Sequence, residues 1–156
     1  MKNKPKLLLI LILFFALTSV QSQLQNNRFE DIEILQKTNK KNVLVFIYTD
    51  WCKFCQSMKL TVFRNKEVER TLNENFYFIL LDAEEKRSIA FNKTVFRFKR
   101  YGAAIGNHEL ALALGTINKQ ISYPTICILN SENEIIFQHS GFLNTHDFIA
   151  LLAKAR

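Results

Sequence analysis

The chain has 156 residues, 48% of them apolar and 22% charged, and a formal net charge of +7. The apolar share is ample for a packed core, and the length suits one domain rather than several. No basic stripe interleaved with aromatic residues runs through it, which sets nucleic acid aside as a partner.

In chain order, Lys2, Lys4 and Lys6 precede an uncharged apolar run over residues 7–17, and Val20-Gln21-Ser22 follows. This pattern predicts a signal peptide over residues 1–22, with residues 23–156 as the working domain. The run falls short of the roughly 20 residues that a membrane span needs. An uncleaved anchor is the alternative. No cysteine follows the run, so lipid attachment is not indicated. Three of the 21 Lys/Arg lie in this segment and none of the 14 Asp/Glu do, so cleavage leaves a net charge of +4. Export would place the domain in the periplasm or outside the cell. Its three cysteines read as one pair and one left over.

Phe29, Ile32 and Leu35 recur at helical spacing and predict an amphipathic helix over residues 29–38 that packs on a sheet. Residues 43–48 are β-branched and aromatic on both faces, the pattern of a central strand. That strand delivers Tyr48-Thr49-Asp50-Trp51-Cys52-Lys53-Phe54-Cys55 at its carboxyl end, where open α/β sheets place their sites. A helix should run from Cys52 to about Leu60. A second should start at an Asn65 cap with Val68 and Leu72 inward. Residues 76–81 form a second buried strand closed by Asp82.

Residues 86–106 hold Lys86, Arg87, Lys93, Arg97, Lys99 and Arg100, the most basic part of the domain. Within them, Ile89-Ala90-Phe91, Asn92-Lys93 and a run from Thr94 to Phe98 predict a short hairpin insert. Phe91, Phe96 and Phe98 should pack on the core, and the charges should form a solvated face. Docking of an acidic partner is the sharper alternative. Asn107 is placed to cap a helix from His108 to Leu114 closed by Gly115, with His108 on the surface.

Tyr123-Pro124-Thr125 then precedes a strand over residues 126–129. A proline there removes a ladder donor, which is unusual before a core strand. An X–Pro bond is also where a cis peptide costs least. Backbone left unpaired beside it would accept an extended peptide with little regard to its sequence. Cys127 sits among apolar residues and reads as a buried small hydrophobe, with a third redox thiol as the alternative. Residues 130–133 make a turn, residues 134–139 the last strand, and Asn144 or Thr145 the cap of a final helix with Phe148, Leu151 and Leu152 inward.

The chemistry lies in the cysteine pair. Two cysteines three apart at a strand-to-helix junction can close a disulfide across the first helical turn. Cys52 then sits where unpaired N–H groups and the helix dipole favour an anion. The thiolate is the attacking species in disulfide exchange, and Lys53 adds positive charge beside it. Cys55, one turn further in, would resolve the mixed disulfide. The same spacing is half of a zinc site, but Cys127, His108, His139 and His146 offer no second close pair. A purely structural disulfide is also open, although so short a loop gains little. Thiolates suit Cu(I) as well, yet no methionine-rich or second cysteine cluster is present.

Trp51-Cys52-x-x-Cys55 after an apolar strand resembles the thioredoxin superfamily. Met58, Phe63, Asn65, Val68, Leu72, Asn73, Phe76 and Leu81-Asp82 recur at the spacing of its secreted members. The likeness extends to the C-terminal domain of the bacterial membrane thiol:disulfide interchange transporter. It is strongest over residues 42–82 and from Leu110 onward, and loose over the insert. It implies a thioredoxin-like α/β fold, with a mixed sheet of four or five strands and helices on both faces. It implies a bacterial, exported thiol–disulfide oxidoreductase, most simply a reductase, with Cys52 as nucleophile and Cys55 as resolving thiol. Trp51, Tyr123 and a cis Pro124 would bind substrate. No cofactor beyond the dithiol is implied. The partners would be protein or peptide disulfides and a membrane thiol donor, and the chain is expected to be a monomer. An oxidase or isomerase, or a non-catalytic peptide-binding module or chaperone, is the alternative. Lys53-Phe54 matches neither the Gly-Pro of reducing members nor the Pro-His or Gly-His of oxidants and isomerases. The family often carries an acid six residues before the first cysteine; here that position is Phe46.

Overall fold

The computed structural model describes residues 23–102 and 105–155. The segment read as a signal peptide lies outside the described residues, as do two positions of the insert. A four-stranded sheet organises the rest. Its central strand β1 (Asn42–Tyr48) pairs in parallel with β2 (Phe76–Asp82) and antiparallel with β9 (Thr125–Leu129). β9 in turn pairs antiparallel with β10 (Ile135–Ser140), giving the order β10-β9-β1-β2. The β9–β10 register shifts between Ile135 and Phe137, so the outer strand carries an irregularity. Residues 43–47 of β1 are all buried. The unbroken apolar run of that strand therefore reflects a sheet covered on both sides.

The alternation of side chains across the pleat divides the core in two. On one face, Leu44, Phe46, Phe76, Phe78, Ile126 and Ile128 meet three helices. These are α2 (Lys53–Leu60), α3 (Lys66–Asn75) and α5 (Thr145–Lys154), which contribute Met58, Leu72 and Phe148 among others. On the other, Val43, Val45, Ile47, Tyr77, Ile79, Cys127 and Leu129 meet α1 (Phe29–Thr38) and α4 (Glu109–Gly115). Two of the helix starts are capped by an asparagine just before them. The Asn65 side chain accepts from the N–H groups of Glu67 and Val68, and that of Asn144 accepts from Asp147 N–H. These bonds satisfy donors that a helix start leaves orphaned.

The insert between β2 and α4 contains the expected hairpin, β3 (Ile89–Phe91) with β4 (Thr94–Phe96). Its turn is Asn92-Lys93, with φ of 48° and 62°. Positive φ at both central residues is the type I′ geometry that matches strand twist. Phe91 packs edge-on against Phe29 of α1, 5.0 Å between ring centres. A second hairpin follows, β5 (Phe98–Arg100) with β6 (Gly106–His108). A third, β7 (Thr116–Ile117) with β8 (Gln120–Ile121), turns on Asn118-Lys119 with φ of 50° and 66°. Two of the basic residues of the insert are engaged within the molecule. The Lys86 ammonium lies 3.2 Å from the centre of the Phe98 ring, and Arg87 pairs with Glu30.

The start of α4 departs from the sequence reading. His108, not Asn107, is the cap: its Nδ1 accepts from Leu110 N–H at 3.2 Å. His108 is fully buried rather than on the surface. The chain is still extended at Asn107, whose side chain is taken up elsewhere, and Gly115 ends the helix from inside it.

Candidate functional site

Asp50 and Trp51 make a tight bend between β1 and α2, in which Cys52 N–H donates to the Thr49 carbonyl at 3.2 Å. Cys52 is the cap of α2, with an extended backbone. Its Sγ accepts from the N–H of Cys55 at 3.1 Å. A sulfur in that position receives the donor that a helix start would otherwise leave unpaired. The two cysteines form a disulfide, with Cα atoms 5.2 Å apart. Cys52 keeps 5% of its surface exposed and Cys55 none. An incoming thiolate can therefore reach the first sulfur and not the second. Sequence spacing located both residues.

The surroundings of the disulfide are aromatic. Trp51 and Phe54, on either side of Cys52, are 66% and 65% exposed. Phe54 stands 6.1 Å from Phe142, which follows β10. Trp51 lies edge-to-face on Tyr123, with ring centres 5.9 Å apart. The indole N–H donates to Glu84 Oε1 at 3.3 Å, and Asn107 Nδ2 donates to the Tyr123 hydroxyl at 2.7 Å. Burial, with the carboxylates of Glu84 and Asp82 adding, pushes the Tyr123 hydroxyl up to about 12. The Tyr123–Pro124 bond is cis. Ile47 pairs with Thr125, so Pro124 enters the sheet at the same end as the disulfide. Trp51, Cys52, Cys55, Tyr123 and Pro124 thus gather at the carboxyl end of β1. Glu84, Asn107, Phe54 and Phe142 join them without having been read from the sequence as site residues. Glu84 and Asn107 belong to segments whose position depends on tertiary contacts.

Beneath the disulfide the floor is made of rings. Phe46 is fully buried, 4.7 Å from Phe63, which in turn packs on Phe78 and Phe148 at 5.0 and 5.4 Å. Ionisable groups lie at the rim instead. Asp82 faces Tyr48 across the β1–β2 register. Burial raises its carboxyl above the usual range, and the nearby carboxylates of Asp50, Glu84 and Glu85 raise it further, against a hydrogen bond from Glu84 N–H. The Lys59 ammonium sits 3.1 Å from the centre of the Tyr48 ring. Burial lowers it, while Asp50 and Asp82 oppose that. Asp50 itself is exposed. Among the described residues, no three of His, Cys, Asp and Glu are grouped to hold a metal ion.

Cys127 lies on β9 opposite Val45, fully buried on the other face of the sheet. Burial pushes its thiol up to about 12. It takes no part in the disulfide.

A family model described as a thioredoxin-like domain matches residues 28–156. Spermatogenesis-associated protein 20 of Mus musculus is 34% identical over 59 residues, which are 36% of this chain and only 8% of that protein's length. A thioredoxin from Thermus thermophilus superposes with a TM-score of 0.60 at 17% identity, over 85% of this chain and 87% of its own. The DsbH oxidoreductase gives 0.59 at 13% identity, over 86% and 85%. The reduced C-terminal domain of DsbD from Neisseria meningitidis gives 0.55 at 17% identity, over 81% and 92%. At these identities the likeness speaks for the fold.

Proposed function

The chain belongs to the thioredoxin-like family, and on that premise we propose that it is an exported thiol–disulfide oxidoreductase that reduces disulfides of exported proteins. The observation that carries this is the Cys52–Cys55 disulfide at the head of α2, with Cys52 alone of the pair keeping any exposed surface.

In the reduced protein, the Cys52 thiolate attacks one sulfur of a client disulfide. The client S–S bond breaks as the Cys52–client bond forms, and the departing sulfur takes a proton. Cys55 then gives up its proton and attacks Cys52 Sγ, which restores the Cys52–Cys55 disulfide and releases the second client thiol. The client has gained two electrons, so each turn needs a dithiol donor, for which a membrane thiol transporter is proposed. The Cys55 N–H and the helix start favour the Cys52 thiolate over the thiol. Trp51 and Tyr123 form one wall of the client site, and the backbone beside Pro124 pairs with the extended client chain. The dithiol is the whole redox equipment, and the domain is expected to act as a monomer. Export rests on the pattern of residues 1–22.

Reduction is favoured over oxidation by the resemblance of residues 42–82 to secreted reductase domains. The test is the reduction potential of the pair. A value near the roughly −270 mV of thioredoxin supports the reductase, and one near the roughly −120 mV of DsbA overturns the direction. The assignment of sulfurs is tested by trapping. Cys55→Ser should accumulate mixed disulfides with clients and Cys52→Ser should not; equal trapping by both would refute it. A binding module or chaperone on the same fold would keep its function in Cys52→Ser. Since Phe46 offers no carboxylate to receive the Cys55 proton, resolution should quicken as pH rises above neutrality. A flat, fast profile would mean that Asp50 or Asp82 serves as the base.

A further inference from the structure

Between β2 and α4, Asn107 joins Glu84 in sending its side chain to the site. Its amide donates to the Tyr123 hydroxyl at 2.7 Å. The strand that carries it is held closely. His108 N–H donates to the Ala83 carbonyl at the end of β2, at 2.7 Å. The register of β5 and β6 sets Asn107 opposite Lys99. The next residue back is Gly106, where a Cβ would stand 2.3 Å from the Lys99 carbonyl oxygen, so the two strands meet more closely than any side chain permits. Glu109 closes the far end, its N–H donating to Arg97 O and its carboxylate accepting from Arg97 N–H. Asn107 therefore offers a donor from a fixed support.

Tyr123, by contrast, lies in the connection between β8 and β9 and is only partly buried, touching both halves of the core. Its ring carries the edge-to-face contact with Trp51, whose indole is held from the other side by Glu84. Tyr123 also precedes Pro124, so its backbone and its ring move together. The hydroxyl, pushed up to about 12, keeps its proton at every working pH. The Asn107 bond to it is thus a constant tether, independent of titration.

We propose that Asn107 is a positioning residue for polypeptide disulfides: by holding the Tyr123 hydroxyl it fixes the ring against Trp51 and the adjoining backbone in the orientation that a client chain pairs with. This rests on the oxidoreductase reading above and extends it to the insert, which becomes the support of the client wall. A small disulfide needs only the Cys52 sulfur and makes no use of that wall. A peptide disulfide needs both.

The test compares two probes on the prereduced protein: a disulfide-linked decapeptide and 5,5′-dithiobis(2-nitrobenzoate). Asn107→Ala should lower the ratio of peptide to small-probe reactivity about fivefold, the value of one neutral hydrogen bond, with the change in KM for the peptide. Tyr123→Phe, which removes only the hydroxyl, should lower the ratio alike, and it carries the same test if Asn107→Ala does not fold. The double variant should lose no more than either single one, since both remove the same bond. An unchanged ratio, or a further loss from Asn107→Ala in the Tyr123→Phe background, overturns the proposal. Failure of the unaltered protein to react with either probe overturns the oxidoreductase reading itself, and this inference with it.

Discussion

The two faces of the sheet differ in what they bury. The face under α2, α3 and α5 is a stack of rings, Phe46, Phe63, Phe78 and Phe148, directly behind the disulfide. The face under α1 and α4 buries titratable groups that take no part in the redox chemistry. Cys127 lies within it, the Tyr77 hydroxyl donates to the carbonyl of Asn39 just past α1 at 2.7 Å, with that of Leu35 at 3.1 Å, and His108 heads α4. The redox pair therefore sits over a floor whose electrostatics do not change with pH. The opposite face, through His108, is expected to lose stability as pH falls. A sheet one residue thick is enough to separate the two, because alternate side chains of a strand point to opposite sides.

The largest expected effect breaks the ring floor. Phe46→Ala should destabilise the domain by about 3–5 kcal/mol in urea titration, since the cavity lies amid packed rings that cannot close on it. A loss under about 1 kcal/mol would mean that the floor is loosely packed. Phe46→Asp, tested on protein shown to be folded, should accelerate resolution at neutral pH.

Next comes the hairpin that supports Tyr123. Gly106→Ala drives a Cβ to within 2.3 Å of a backbone oxygen that has no free end to move. A cost of about 1–3 kcal/mol follows from the forced shift. Hydrogen exchange should show it concentrated in β5 and β6, with α2 unaffected. Uniform loss of protection would show that the insert and the disulfide face unfold as one unit.

The third effect sharpens the contrast in proton binding. Burial lowers His108, against the Arg87 carbonyl and the carboxylates of Glu85 and Glu109, and the Arg87 guanidinium lowers it further. The folded protein thus binds a proton on His108 less readily than the unfolded chain, whose histidine titrates near 6.5. Stability should fall as pH drops below about 6.5, with a slope of at most about 1.4 kcal/mol per pH unit from this group. His108→Asn keeps a helix cap without a titrating ring and should flatten the slope. An unaltered slope would place the pH dependence elsewhere.

The smallest effect is a reactivity. With its thiol pushed up to about 12, Cys127 should resist iodoacetamide at pH 8 in the reduced native protein, while Cys52 is labelled. Labelling of Cys127 should appear only with denaturant. Rapid native labelling would show that β9 opens on its own.

The same division explains how much could be read from the chain. Residues 43–48 and the cap-and-helix pattern after them are local signals, and β1, α2 and α3 lie where those signals put them. The cysteine pair needed only its spacing and the strand before it. The insert is different, because its shape is fixed from outside. Asn107 has the composition of a cap, yet the Tyr123 hydroxyl, sixteen positions away, takes its amide and His108 does the capping. Nothing in the neighbouring residues reports that competition. His108 is buried because β6 docks on the end of β2, a contact that periodicity in a short segment cannot show. One further turn follows the local pattern of the insert. Asn118-Lys119 repeats the Asn92-Lys93 turn, and the same residue pair at positive φ makes the β7–β8 hairpin.

The irregularity in β10 bears on solubility. β10 is an outer strand, and Ile135 and Ile136 on it are 45% and 50% exposed. An apolar strand with unpaired backbone along its free side is a template for a second chain, and from there for aggregation. The shift of register between Ile135 and Phe137 interrupts the even row of donors and acceptors at the place where the exposed isoleucines lie. Such a break in register disfavours a straight partner strand along that edge. The chain keeps two large apolar side chains in water without offering them a flat edge to spread along.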